Sequence, residues 1–174
     1  CFNDFLEDAA QHTRKDLLES DPGLIILRAY TKMYAVPGVR FGWCMTADAA
    51  LIEKLYHAGQ PWNVSVIAQA CAAAAANEPD WAAETAKRIA EERRFLSDGL
   101  AACGLTVFPG EANFLLFRSN DTGLHEKLAE HGIMIRNCDN YRGLSAGYYR
   151  VAVKTREASE RLLQIITHYT QCEV

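Results

Sequence analysis

The stretch Arg28-Ala-Tyr-Thr-Lys-Met-Tyr-Ala-Val-Pro-Gly-Val-Arg-Phe-Gly-Trp43 carries the most explicit chemistry in this 174-residue chain. Lys32 follows a short apolar run and sits among Tyr30, Met33 and Tyr34. Such surroundings are expected to strip water from its ammonium and favour the neutral amine, the form that attacks an aldehyde to make a Schiff base. Thr31 offers a hydroxyl next door, and Arg40 offers a guanidinium beyond the Pro37-Gly38 turn. A fork of N–H donors together with a hydroxyl suits a phosphate ester. Gly38 and Gly42 are expected to let the backbone approach a ligand closely. Taken singly, each signal also fits a solvated surface side chain; the spacing of the set is what points to a site.

A second set lies in Ile135-Arg-Asn-Cys-Asp-Asn-Tyr-Arg-Gly-Leu-Ser-Ala-Gly-Tyr-Tyr-Arg-Val-Ala-Val-Lys154. Arg136 and Arg150 begin or end predicted strands and are flanked by apolar residues. Arginines so placed bind an anionic ligand or close a structural salt bridge. Arg28 and Arg118 have weaker claims, and Arg142 reads as solvated.

The elements that must position these residues follow from the pattern. Residues 23–30 read as a strand buried on both faces, the look of a parallel sheet. A second strand is expected over Val39–Met45, with helices over 48–59 and 64–77, the latter built on the run Ala72 to Ala76. Pro79 suits a first helical turn, and a long amphipathic helix runs from there to about Cys103. Its stripe of Ala82, Ala86, Ile89, Leu96, Leu100 and Cys103 marks one buried face. Strands are expected over Thr106–Phe108, Asn113–Arg118, Ile133–Arg136 and Tyr149–Val153, with a helix near 122–131. A last helix takes Thr155 as N-cap and turns Ala158, Leu162, Ile165, Ile166 and Tyr169 inward. The expected division is an α/β part over 1–80 and a small α+β domain over 81–174.

Composition bounds the rest. The formal net charge of -4 argues against nucleic acid or an anionic membrane as a partner. No apolar run reaches the length of a membrane span. The six cysteines, at 1, 44, 71, 103, 138 and 172, form no CxxC pair. They read as free thiols in a cytoplasmic protein. Five histidines, at 12, 57, 125, 131 and 168, show no metal-ligand spacing.

The run Thr31-Lys32-x-x-x-x-Pro37-Gly38-x-Arg40-x-Gly42 resembles the cofactor-lysine motif of class I and II aminotransferases. That resemblance implies the C-terminal part of the aspartate-aminotransferase fold: the end of its large cofactor-binding domain over 1–80, then its small domain over 81–174. It implies pyridoxal 5'-phosphate as cofactor, held covalently by Lys32, with Arg40 and Thr31 on the phosphate. It also implies Arg150 and Arg136 as clamps for the substrate's anionic groups, Asn113 on the substrate side, no metal, and a homodimer. Ala29 departs from the pattern, standing where the family usually has Ser or Thr. Cys1-Phe2 resembles the end of the motif that carries the aspartate partner of the pyridine nitrogen. The residues are therefore expected to be part of a longer protein and inert alone. Within the family, residues 135–153 and Gln60-Pro-Trp-Asn-Val-Ser65 resemble the threonine-phosphate decarboxylases of cobalamin biosynthesis more than the histidinol-phosphate aminotransferases. The implied reaction is decarboxylation of O-phospho-L-threonine, with transamination of histidinol phosphate as the alternative. A non-catalytic domain on a decayed scaffold is a further reading, and the retention of Lys32, Arg40, Arg136 and Arg150 opposes it.

Overall fold

A computed structural model describes residues 1–78 and 80–171, so Pro79 and Cys172 lie outside the described residues. The chain divides into two compact units, Cys1–Ala86 and Lys87–Val174. The expected boundary between residues 80 and 81 falls at the first turn of the long helix, whereas the units part within that helix. One contact of the first unit reaches this helix: the indole of Trp81 donates to the Met33 carbonyl and ties the helix's first turn to that unit.

The first unit begins with 3-10 turns at Asn3–Phe5 and Lys15–Leu17 around a short helix α1, Ala9–His12. Strand β1, Ile26–Ala29, pairs antiparallel with β2, Gly42–Met45. This corrects the expectation of a parallel strand buried on both faces. With β2 as the one neighbouring strand among the described residues, Leu27 is 69% exposed. The expected start of β2 at Val39 is also too early. Pro37 opens a 3-10 turn over Pro37–Val39, and Arg40 follows it in the left-handed region, where the extended pairing cannot begin. At the far end of the pairing, a Cβ on Gly42 would stand 2.9 Å from the Arg28 carbonyl oxygen. Gly42 therefore serves the approach of two strands rather than of a ligand.

Helix α2, Ala49–Ala58, starts where the Asp48 side chain accepts from Leu51 N–H at 3.0 Å. Helix α3, Val66–Ala76, starts where Ser65 accepts from Ala68 N–H at 3.1 Å. Such caps satisfy donors that the first helical turn leaves without partners. Helix α4, Trp81–Ala102, then runs from the first unit into the second.

The second unit is a four-stranded antiparallel sheet in the order β3-β4-β6-β5. The strands are β3, Thr106–Val107; β4, Phe114–Arg118; β5, Arg136–Asn137; and β6, Tyr148–Ala152. Between them lies α5, Leu124–Glu130, and the described chain ends with α6, Arg156–Gln171. Alternation along the strands decides the core. Leu115, Phe117, Tyr149 and Val151 are buried with Leu96 and Leu100 of α4, Leu128 of α5 and Ile166 of α6. Truncating a ring as enclosed as Phe117 costs about 3–5 kcal/mol. At the start of α6, Thr155 accepts from Ala158 N–H at 3.4 Å, and Arg156 forks onto both Glu92 carboxylate oxygens at 2.9 and 3.1 Å. The expected strand over Ile133–Arg136 begins later than the pattern suggests. Ile133 N–H is spent on the Leu128 carbonyl at 3.0 Å, closing α5 across Gly132, which has φ +73°.

Candidate functional site

Lys32 stands on a single helical turn that follows β1. Tyr34 N–H donates to the Tyr30 carbonyl at 3.1 Å, and Ala35 N–H donates to the carbonyl of Lys32 at 3.2 Å. Adjacent side chains of this turn go opposite ways: Met33 is 2% exposed, whereas Lys32 lies exposed. The expected desolvation of the lysine is thereby corrected, because Met33 takes the buried place. Among the described residues Lys32 has no ion pair. Beside the turn, Tyr30 packs on three rings, with centroids 4.5 Å from Tyr34, 5.5 Å from Phe41 and 4.8 Å from Trp43. Burial, with the neighbouring Tyr30 and Asp4, pushes the Tyr34 phenol up from its ordinary value, and Arg28 pulls the other way. The phenol thus stays protonated at neutral pH.

Arg40 has φ 58° and ψ 46°. For a residue with a Cβ this left-handed backbone costs roughly 1–2 kcal/mol. Its guanidinium is exposed and donates to the Pro37 carbonyl at 3.1 Å, which folds the side chain back over its own turn. Thr31 is half-buried. Nothing lies within 4 Å of a Cβ built on Gly38, so the backbone there is open to approach. Arg28 has a structural partner: it pairs with Asp4, and both side chains are largely buried.

In the second unit, the face of the sheet opposite the core carries the arginines. Arg136 of β5 is the cross-strand partner of Arg150 of β6, and Arg150 is in turn paired with Leu116 of β4. Arg118 and Tyr148, partners across β4 and β6, lie on the same face. The Arg150 guanidinium lies 5.1 Å from the Phe114 ring centroid, and that of Arg136 lies 5.5 Å from Tyr141. Arg136 also donates to the Asn140 side-chain oxygen at 3.2 Å. Arg136 is exposed and Arg150 half-buried. Burial pushes the neighbouring Cys138 thiol up, while Arg150 and Arg136 pull it down, a measure of the positive field at this edge. Arg142 is exposed, as expected.

Asn113 is half-buried just before β4, and its carbonyl accepts from Val153 N–H at 2.9 Å. The loop leading to it is held by a residue that sequence reasoning passed over. Arg93, 7% exposed, donates to the carbonyls of Glu111 and Ala112 at 2.7 and 3.2 Å. Spacing gives no signal for such a contact, nor for the bond from Trp81 to Met33. The five described cysteines are free, and Cys172 is outside the described residues.

Comparison with known proteins adds to this geometry. The profile of the family described as aminotransferase class I and II matches residues 1–166. The threonine-phosphate decarboxylase of Salmonella typhimurium is 37% identical over 149 residues, which cover 84% of this chain and 41% of that protein. A histidinol-phosphate aminotransferase of Nitratidesulfovibrio vulgaris is 31% identical over 166 residues, covering 94% of this chain and 44% of that protein. Among solved structures, the histidinol-phosphate aminotransferase from Clostridium acetobutylicum superposes with a TM-score of 0.92 at 27% identity. That match covers 99% of this chain and 53% of that one. The chain thus spans about half the length of the proteins it matches, and its mixed α/β architecture is that of aminotransferase structures.

Proposed function

The chain belongs to the class I and II aminotransferase family, and from that membership we propose that Lys32 is the cofactor lysine of a pyridoxal-phosphate decarboxylase acting on O-phospho-L-threonine. Members of the family use pyridoxal 5'-phosphate. When bound, that group supplies a conjugated ring able to take up the electron pair released as a bond at the substrate's Cα breaks.

The residues present fit it. Lys32 offers a primary amine without an ion pair among the described residues, and in its neutral form such an amine captures an aldehyde. Arg40 would hold the phosphate with the N–H groups that Pro37 does not occupy, and Thr31 would add a hydroxyl. The strain at Arg40 supports this reading. A backbone that glycine would adopt freely carries a long cationic side chain instead, and such strain collects at functional sites.

The observation that carries the substrate class is the Arg136–Arg150 pair. Like charges placed directly across two strands destabilise a sheet. The pair suits an anion-bearing ligand that offsets the repulsion. Arg150, half-buried and stacked on Phe114, would take one anionic group bidentately. Arg136, at the exposed edge, would take the other, with Asn113 on the substrate side. How these residues orient the substrate selects the bond at Cα that breaks. Decarboxylation rather than transamination is favoured by the higher identity to the Salmonella enzyme, 37% against 31%.

Carbon dioxide release from phosphothreonine, measured beside 2-oxoglutarate-dependent loss of histidinol phosphate, tests the reading in the complete enzyme. Fast release with slow loss is expected; the reverse would establish the aminotransferase. We further propose a cytoplasmic homodimer, as the resemblance to class I and II aminotransferases implies. Sedimentation of the complete enzyme as a monomer would contradict it.

A further inference from the structure

We propose that Trp81 is a positioning residue for Lys32, its indole N–H fixing the turn from which the lysine projects and so setting how tightly the cofactor is held. The proposal rests on the reading of Lys32 as the cofactor lysine.

Two observations carry it. The carbonyls of Tyr30 and Lys32 are used within the turn itself, by Tyr34 and Ala35 N–H. The Met33 carbonyl, next along the chain, takes its proton from the Trp81 indole at 3.1 Å, across 48 residues of sequence. The turn is thus tied from outside by a polar contact at the residue adjoining Lys32. Second, the indole N–H is the part of the Trp81 side chain that the turn uses, a donor that phenylalanine or leucine would not supply. Trp81 also opens the 22-residue helix α4, so the donor stands on a rigid element rather than a loop.

Freeing the Met33 carbonyl should let the turn sample more conformations, and fixing Lys32 to the cofactor would then cost more entropy. In the complete enzyme, Trp81→Phe keeps an aromatic ring and removes the donor. Pyridoxal phosphate affinity, read by equilibrium dialysis and by the absorbance of the bound cofactor, is expected to fall by about five- to fiftyfold. The melting temperature of the cofactor-free protein should fall by no more than about 4 °C. Should Trp81→Phe not fold, incorporation of benzothienylalanine at position 81 preserves the bicyclic ring and still removes the N–H. Unchanged cofactor affinity, whatever happens to the melting temperature, would reduce the bond to a structural tie and overturn the proposal. Borohydride reduction of the unmodified enzyme separates the two ways of failing. A pyridoxyl group on Lys32 with unchanged affinity in the variant sinks only the role of Trp81. A pyridoxyl group elsewhere sinks the reading on which it rests.

Discussion

Arg136 and Arg150 stand directly opposite one another across β5 and β6, on the sheet face that turns away from the core. Two guanidinium groups so paired repel, and each is backed by an aromatic ring, Tyr141 and Phe114 respectively. A ring face attracts a cation but leaves the guanidinium edge, with its fork of N–H donors, available to a ligand.

Loss of either arginine should therefore be felt by the substrate group it holds. A charge-assisted contact to a buried anion is worth roughly 1.5–3 kcal/mol. Arg136→Ala and Arg150→Ala should each lower kcat/KM for phosphothreonine by about ten- to a hundredfold or more. Against analogues lacking the phosphate or the carboxylate, the corresponding variant should lose little. Equal losses on all substrates would point instead to damage to the sheet.

Arg40 separates stability from function. At φ 58° a glycine removes the left-handed strain, offset in part by the greater freedom it gives the unfolded chain. Arg40→Gly should leave thermal stability of the cofactor-free protein unchanged or raise it by up to about 1 kcal/mol. The same variant should bind pyridoxal phosphate at least tenfold more weakly if the guanidinium holds the phosphate (about 1.4 kcal/mol). Melting curves and cofactor titration read the two effects independently. A destabilised variant with undiminished affinity would assign Arg40 to the fold alone.

Much of this was legible in the sequence where local rules decide. The Thr155 cap, the Ala72–Ala76 helix and the strands that became β4 and β6 depend on neighbours a few residues away. The motif around Lys32 placed the lysine, arginine and threonine on one short segment because its spacing is short as well. What long-range geometry decides was not legible. An apolar run such as Ile25-Ile26-Leu27 reads as a doubly buried strand, yet Leu27 is exposed because burial depends on which strands lie alongside. The exposure of Lys32 depends on Met33 taking the inner side of a turn, and a turn has no period to reveal its faces. Arg93 and Trp81 act through backbone carbonyls, which every residue possesses, so no residue type at the accepting end gives the contact away.

The second unit should show a specific acid weakness. Burial acts to raise the Asp121 carboxyl, but the hydrogen bond from Lys127, the Gly123 N–H and the charges of Lys127 and His125 outweigh it. The native group therefore sits below its ordinary value of 3.8. Lys127 lies 2.8 Å from one carboxylate oxygen, and Gly123 N–H is 2.9 Å from the other. A lowered native pKa means that the unfolded state binds more protons. The stabilisation is thus fully present above about pH 3.8 and is lost as pH falls through the lower native value. Asp121→Asn, which retains an acceptor for Gly123, should flatten that part of the pH–stability curve measured by denaturant unfolding. An unaltered acid limb would assign the loss to other carboxyl groups.

The central prediction is the identity of the cofactor lysine. The chain has other lysines, including Lys54 and Lys154, and both are exposed as Lys32 is. Exposure alone therefore does not mark Lys32; its place does. It projects from a turn whose next residue is buried, with an aromatic cluster beside it and Arg40 eight residues on. Lys54 lies on the regular helix α2 and Lys154 between β6 and α6. In the complete enzyme with pyridoxal phosphate present, borohydride should fix one pyridoxyl group per chain on the peptide containing Lys32. Lys32→Ala should abolish both that label and the visible absorbance of the bound cofactor. Lys32→Arg should do the same while preserving the positive charge, because a guanidinium is too weak a nucleophile to capture the aldehyde. Retention of the label in either variant, or its recovery on Lys54 or Lys154, would remove the basis for reading this turn as the cofactor site.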